Sequence, residues 1–417
     1  MIDYNQAVQR ILALSTRGPV RHRTLSEAAG LALAEDIRSD VDLPPFDNAA
    51  MDGFALSAKG TVLRAGSEFE VSGRQVAGDD QTRAGPGAWE ITTGAAVPAG
   101  FDTVVPVEQV SVLARTAAGD PARIRLDRDI DAGRHVRRHG EDVATGDVVL
   151  KAGARVAAAE LAMLASLGAA RLALVQPPRV ALIATGRELV DDPAQPLASG
   201  QIRNSNGPFL AARVQVAGAE VVLQRTVGDT VDEYLAAVEA ARARGAELIL
   251  STGAVSMGRH DFVPQALQEL AATVHFHKVA IRPGKPLLFA SLPDGVLCFG
   301  LPGNPVSSAV GLRFFVEPAI RARLGLATER PLRLPLAADY DKRTDFRCFL
   351  KGRVTLDADG RARAEVLDGQ ESFRIRPLLA TTAWVVLDET AGPVRAGSLV
   401  DVHGLGHWQP PAIGSGE

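Results

Sequence analysis

The chain has 417 residues, 46% of them hydrophobic, 23% charged and 5% aromatic, with a formal net charge of −4. It is too long for one ordinary core and reads as a soluble protein of roughly two to four domains. So few aromatics and so mild a charge argue against a stacking surface for nucleic acid, and the absence of a signal-like start or a bilayer-length apolar run makes a cytoplasmic protein without a membrane partner the expectation. Cys298 and Cys348 are the only cysteines, too few for a disulfide framework and without the spacing of a zinc site.

In chain order, YNQAVQRIL places apolar residues at helical spacing, and Thr24 with Glu27 in TLSEAAG makes a candidate capping box closed by Gly30. LPPFDNAAMDGFA, residues 43–55, keeps neither a helical period nor an alternation, and it sets Asp47 and Asp52 among Pro44, Pro45 and Gly53. Such a loop is either a turn whose Asp side chains bond their own backbone or a deliberate display of carboxylates. From about residue 60 to 130, the short runs EFEVSG, AWEITTG, DTVVPVEQV and ARIRL, broken by Gly and Pro, predict a β-rich module. RHVRRHGED, 134–142, sets three arginines before Glu141 and Asp142, as a self-paired surface turn or a piece of a charged site. AAAELAMLASLG, 157–168, predicts a connecting helix that stops at glycine.

After Pro177 and Pro178 strand-like and helix-like runs alternate: RVALIATG, a helix near 206–217, EVVLQRTVG, DEYLAAVEAARARG, ELILSTG, a further helix, then VLCFGLPG leading into PVSSAVGLRFFVEPAIRARLG. That order predicts an α/β domain with a mostly parallel sheet, whose ligands bind beyond the carboxyl ends of the strands. ATGREL, STGAVSMGRHD and GLPGNPVSS are therefore expected to share one pocket. LRLPLAAD, FRCFLKGRVTL, RARAEVL, AWVVLDE and SLVDVHG, within about 330–408, predict a small β-barrel or sandwich.

STGAVSMGRHD lies between an apolar run and a helical pattern, where glycines let backbone N–H groups face an anion, or simply make a tight turn. The chain holds neither G-x-x-x-x-G-K-[ST] nor G-x-G-x-x-G, so a Walker ATPase and the usual dinucleotide fold are unsupported. KVAIRPGKP gathers Lys278, Arg282 and Lys285 around Pro-Gly, either a solvated basic turn or a grip on phosphate, sulfate or molybdate. Pro305 initiates a helix, with Ser307 and Ser308 on its first turn. Asp52, Glu188, Asp229 and Asp261 all fall in turns, a pattern suited to Mg²⁺ on a polyphosphate, because that ion takes one or two carboxylates and fills its octahedron with water and substrate oxygens. His275 and His277 share a strand face with no third ligand nearby in sequence and read as structural.

LPPFDNAAMDGFA, ITTGAAVP, HVRRHGED, ATGREL, STGAVSMGRHD, IRPGKPLLF and GLPGNPVS, in this order and over nearly the whole chain, resemble the MoeA family of molybdopterin molybdenumtransferases, related to the enzymatic domain of gephyrin. The resemblance implies a connecting helical domain from residues 1–44 and 145–176, and a β-rich domain, 45–144, that serves the partner's active site. It further implies a three-layer α/β molybdopterin-binding domain of the molybdenum-cofactor-biosynthesis fold, 177–328, and a C-terminal β-barrel, 329–417. The implied activity is insertion of molybdate into adenylated molybdopterin with Mg²⁺-dependent hydrolysis that releases AMP. The implied assembly is a homodimer, with the adenylyltransferase and molybdoenzyme-maturation proteins as partners.

By motif match the resemblance makes Asp52, Asp142, Glu188, Asp229 and Asp261 the catalytic acids, with Asp142, Glu188 and Asp229 holding Mg²⁺ or orienting water. It assigns Thr93, Gly253, Ser256, Lys278, Arg282, Lys285, Pro302, Gly303, Pro305 and Ser307 to the substrate. Ala49, Phe54, Arg187, Asn204, Ala254 and Arg282 depart from the residues common in the family, which are Ser, Tyr, Asp, Asp, Gly and Lys. Losing acids at 187 and 204 makes the pocket more cationic, and leaves open whether molybdate or tungstate is preferred. Two other readings compete: adenylyl transfer to molybdopterin, which the additional modules oppose, and a non-catalytic gephyrin-like scaffold, which has little use for so many retained acids.

Overall fold

The computed structural model describes residues 1–255, 262–390 and 392–414. The chain forms two compact units, one from Met1–Glu35, Ala152–Ala157 and Arg171–Glu417, the other from Asp36–Lys151 and Ala158–Ala170.

The larger unit is built on a sheet in the order Glu220–Val227, Arg179–Thr185, Leu248–Thr252, Leu297–Leu301, Leu288–Ser291 and Thr273–His277. The first four strands run parallel and the last two antiparallel to their neighbours, which bears out the reading of a mostly parallel sheet. VALIA is buried throughout because alternate residues face two separate cores. Val180 and Leu182 join Leu248, Leu250 and Phe299 against the helices Asn206–Val216 and Pro305–Gly311. Ala181 and Ile183 join Ile249 and Cys298 against the helices Val231–Ala243 and Val263–Glu269. Helices therefore cover both faces, and the loops after Thr185, Val227, Thr252 and Leu301 leave the sheet at one edge.

Pro305–Gly311 runs through a wide π-helical stretch, Leu312–Val316, into Glu317–Arg323. There Arg313 and Glu317 are buried together. The Glu317 carboxylate meets Arg213 at 3.1 Å and Arg313 at 3.5 Å, and accepts the His407 amide at 2.9 Å. Arg313 also pairs with Glu329 at 2.6 Å. His407 is 8% exposed, with no hydrogen-bond partner for either ring nitrogen among the described residues. Burial and the nearby Arg321 and Arg313 push its pKa down to about 3. The unfolded chain takes up that proton near the ordinary histidine pKa, so His407 contributes stability above that value, and the contribution is lost as pH falls toward 3. Glu329, held down at about 2 by His403 and Arg313 despite its burial, acts in the same direction, whereas burial raises Glu317 and works against both. We expect the unfolding midpoint to fall on acidification from pH 7 to 4.5 and His407→Phe to flatten that fall; parallel profiles for the two proteins would refute it.

The last sheet of this unit takes Ile281–Arg282 as its first strand, followed in order by Arg347–Leu356, Ala383–Leu387, Leu399–His403 and Leu332–Pro335, with Ala362–Val366 paired to Arg347–Leu356. The Ala337 amide donates to the Ala364 carbonyl at 2.8 Å, which brings the end of Leu332–Pro335 beside Ala362–Val366. The stretch 1–44 with 145–176, expected to be helical, holds the helices Tyr4–Leu14 and Ala158–Ser166. It also holds antiparallel pairings: Arg171–Val175 lies between Val20–Thr24 and Ala32–Leu33, and Val148–Leu150 pairs with Ile37–Arg38. VRHRT hides its strand character because its side chains are mostly exposed and polar. The capping box at Thr24 and Glu27 opens only a short 3-10 helix, Leu25–Glu27.

The smaller unit holds a sheet in the order Thr103–Pro106, Gly53–Leu56, Ala88–Ile91, Glu68–Gln75, Pro121–Leu126 and Val110–Arg115. Phe54, Leu56, Val105, Ile124 and Leu126 form its main core. At Gly53 a β-carbon would lie 1.9 Å from the Val105 carbonyl oxygen, so only glycine lets these two strands approach.

Candidate active site

The loops at the common edge of the parallel strands enclose a cleft of about 650 Å³, lined among others by Thr185, Glu188, Asn206, Gly253 and Gly303. Two glycines shape it. At Gly186, φ +146°, a β-carbon would sit 2.6 Å from Oε1 of Glu188, so the Glu188 carboxylate folds back into space only glycine leaves. At Gly253, φ +88°, a β-carbon would be 2.7 Å from the Thr185 carbonyl. The Gly253 amide donates to the Leu301 carbonyl at 3.1 Å and Thr185 Oγ1 to the Thr252 carbonyl at 3.0 Å, which ties three strand ends together. Gly253→Ala combines that collision with a disfavoured backbone, and we expect it to cost about 1–3 kcal/mol of unfolding free energy in a denaturant titration. A loss below experimental error would show that the loop relaxes freely.

Asn206 Nδ2 donates to the Gly303 carbonyl at 2.7 Å, while its buried Oδ1 has no partner among the described residues. Asn206 and Asn204 both line the cleft, and the Asn204 side chain is fully engaged. Its Oδ1 accepts the Gly207 amide at 2.9 Å and its Nδ2 donates to Asp191 at 2.9 Å and Thr226 at 3.1 Å, so the side chain is spent on capping a helix and holding Asp191.

Of the residues expected in the site, Glu188, Gly253, Pro302, Gly303 and Pro305 line this cleft. Asp229 is exposed on the neighbouring loop and accepts the Arg187 amide at 3.4 Å. Ser307 is buried, at 4% exposure, and is not among the cleft's lining residues. Ser256 and Asp261 lie outside the described residues. None of Lys278, Arg282 and Lys285 is among this cleft's lining residues. Arg282, drawn off by pairing with Cys348, lines a second cleft of about 430 Å³ with Tyr340, Lys342, Arg343 and Glu371. The Lys285 ammonium sits 5.5 Å from the Phe346 ring centroid. The histidines expected to be structural are engaged: His275 Nε2 lies 2.9 Å from Ser291 Oγ, and His277 Nε2 donates to the Val255 carbonyl at 2.7 Å.

In the smaller unit, Asp52 Oδ1 accepts the Thr93 amide at 2.6 Å and Thr93 Oγ1 at 2.9 Å, which holds its carboxyl below the usual carboxylate range. Asp47 pairs with Arg138 at 2.7 Å and accepts the His139 amide at 2.8 Å. The two carboxylates of LPPFDNAAMDGFA thus bind other segments, not their own backbone. Asp142 is exposed and its amide donates to the Leu43 carbonyl at 2.9 Å.

Lys351 was not anticipated. It is fully buried, and its ammonium gathers the carbonyls of Gly369 at 2.6 Å, Arg374 at 3.2 Å and Glu371 at 3.4 Å. It thereby shapes the loop whose Ser372 carbonyl accepts the Val306 amide at 3.0 Å and whose Phe373 lines the first cleft. The only sequence signal was a lysine inside the apolar strand FLKGRV.

Among the described residues no group of three or more His, Cys, Asp or Glu side chains is placed to hold a metal ion. A lone carboxylate beside an open, glycine-walled cleft nevertheless fits Mg²⁺ on a phosphate, which needs few protein ligands.

Comparison with known proteins covers nearly the whole chain. Residues 2–168 match the MoeA N-terminal region (domain I and II), residues 181–322 a probable molybdopterin binding domain, and residues 333–405 the MoeA C-terminal region (domain IV). A molybdopterin molybdenumtransferase of Synechococcus elongatus is 36% identical over 414 residues, 97% of this chain and 100% of that protein. One from Haemophilus influenzae is 32% identical over 98% of this chain and 99% of that protein. Among solved structures, the molybdopterin biosynthesis MoeA protein of Pyrococcus horikoshii superposes with a TM-score of 0.79 at 26% identity, covering 96% of this chain and 99% of that one.

Proposed function

The chain belongs to the MoeA family of molybdopterin molybdenumtransferases, enzymes of molybdenum-cofactor biosynthesis, and from that premise we propose that it joins molybdate to adenylated molybdopterin with release of AMP. The observation that carries the reading is the cleft in which Glu188 faces loops at Gly253 and Gly303. Such loops leave backbone groups open to a phosphate or pterin, and the carboxylate is positioned to orient water. Hydrolysis adds water across the phosphoanhydride: a new P–O bond forms, the bond to the bridging oxygen breaks, and adenylate leaves as AMP. Lys278 and Lys285 supply positive charge for molybdate and phosphate. Glu188 and Asp229, with Asp142, would hold Mg²⁺, which when bound offsets the charge of the phosphates.

In the homodimer we read for this protein, Asp52, Thr93 and Asp142 serve the partner's cleft. The support is that all three are exposed and that the Thr93 hydrogen bonds hold the Asp52 carboxyl below the usual carboxylate range. Within the larger unit we separate an α/β domain, 177–328, from a C-terminal barrel, 329–417, and we assign 1–44 with 145–176 to a connector and 45–144 to the β-rich domain. The location we assign is the cytoplasm; among the described residues no helix is long and apolar enough to cross a membrane.

The test is to follow AMP against time with purified protein, adenylated molybdopterin, Mg²⁺ and either molybdate or tungstate. No AMP above the protein-free control would refute the proposal. ATP consumption with unadenylated molybdopterin would assign adenylyl transfer instead.

A further inference from the structure

The loop carrying Lys278 and Lys285 is held on its outer edge by the main chain of Ile2. The Ile2 amide donates to the Lys278 carbonyl at 3.1 Å and the Ile2 carbonyl accepts the Ala280 amide at 2.8 Å, so Ile2 runs parallel to Val279 as a one-residue strand. On the opposite side the Arg347 amide donates to the Ala280 carbonyl at 3.2 Å. Within the loop, the Lys278 amide donates to the Leu287 carbonyl at 2.9 Å and the Val279 amide to the Lys285 carbonyl at 3.0 Å. Lys278 itself has φ +75°, a left-handed conformation that disfavours any residue with a β-carbon by about 1–2 kcal/mol. A lysine stays there only where its neighbours hold it, and the Ile2 pair supplies part of that hold.

Ile2 is itself anchored. Asp3 caps the helix Tyr4–Leu14 by accepting the Gln6 amide at 2.8 Å. Ala7 and Ile11 are fully buried in the same core as Val279, Ile281 and Leu287. The Tyr4 ring meets Phe315 and Phe349 edge-on, at 5.5 and 5.4 Å, with the Arg347 guanidinium 4.7 Å from its centroid.

We propose that Ile2 is a positioning residue for oxyanion binding. Its backbone pair sets the conformation of Lys278 and, through the Val279 to Lys285 hydrogen bond, the spacing of the two lysines. The inference rests on assigning this loop to the oxyanion. Its partner chemistry is a compact tetrahedral dianion, for which lysine spacing matters more than total charge.

The experiment titrates the full chain with sodium molybdate in a calorimeter, comparing wild type, Ile2→Val, Ile2→Pro and Lys285→Ala. Ile2→Pro lacks the amide proton, and its molybdate affinity should fall about tenfold, the scale of one net hydrogen bond transmitted to the site. Ile2→Val should match wild type. Exchange of the Ala280 amide should speed up in Ile2→Pro, a local readout of the lost clamp. Should Ile2→Pro fail to fold, Asp3→Ala loosens the same anchor, and a weakening of about threefold is expected on the same net-hydrogen-bond scale. Weakened binding by Lys285→Ala with wild-type binding by a folded Ile2→Pro or Asp3→Ala would overturn this inference alone. Equal binding by wild type and Lys285→Ala would overturn the loop's role in oxyanion binding and the inference with it.

Discussion

Glu188→Gln is expected to lower the rate of AMP release by at least about a hundredfold while leaving the fold intact. Glutamine keeps the size of the side chain and one acceptor oxygen, so the space over Gly186 stays filled. What is lost is the negative charge and the ability to take a proton from water or to hold a divalent cation. Turnover under saturating adenylated molybdopterin, measured beside a thermal unfolding curve, separates the two effects. Wild-type turnover in the folded variant would remove Glu188 from the chemistry, and an equal loss of activity and of folded protein would make its role structural.

The largest stability effect is expected away from the cleft, at Glu317. This carboxylate is completely buried between Arg313 and Arg213 and also accepts the His407 amide. Burial pushes its pKa up while the two guanidinium groups pull it back. Glu317→Ala leaves Arg213 without its carboxylate and Arg313 with Glu329 alone, and breaking a buried pair in this way costs about 3–5 kcal/mol. Urea unfolding monitored by fluorescence gives the number. The pair by itself is weak evidence of net stabilisation, because a well-packed apolar replacement of all three side chains can be neutral. Accordingly Glu317→Leu combined with Arg213→Met should recover part of the loss. A cost below about 1 kcal/mol for Glu317→Ala, within the range of an exposed pair, would mean that water reaches the site.

Much of the larger unit could be read from local pattern. RVALIATG, ELILSTG and VLCFGLPG are short apolar runs ending in glycine, and each is a buried parallel strand whose loop opens on the cleft. The glycines announced themselves because Gly186 and Gly253 occupy backbone conformations and approaches that a β-carbon forbids. The same kind of reading faltered in the stretches 1–44 and 145–176. VRHRT and RLALV pair as antiparallel strands although they are far apart in the chain, and only one of them carries an apolar signature.

What the order of residues determined by itself was the type of the main elements of the parallel sheet and its helices, the edge at which the ligand loops gather, and the family, since all of these follow from periodicity and from motifs whose constraints are local. Which side chains meet was decided by tertiary structure. Arg282 is drawn to a second cleft by strand pairing with Cys348, Asn204 is consumed by Asp191 and a helix amide, and Lys351 leaves water to gather three carbonyls. Asp52 finds Thr93, and Glu317 finds Arg213, across long stretches of chain. A polar group removed from water must find a partner, and long-range packing determines which one comes within hydrogen-bond distance.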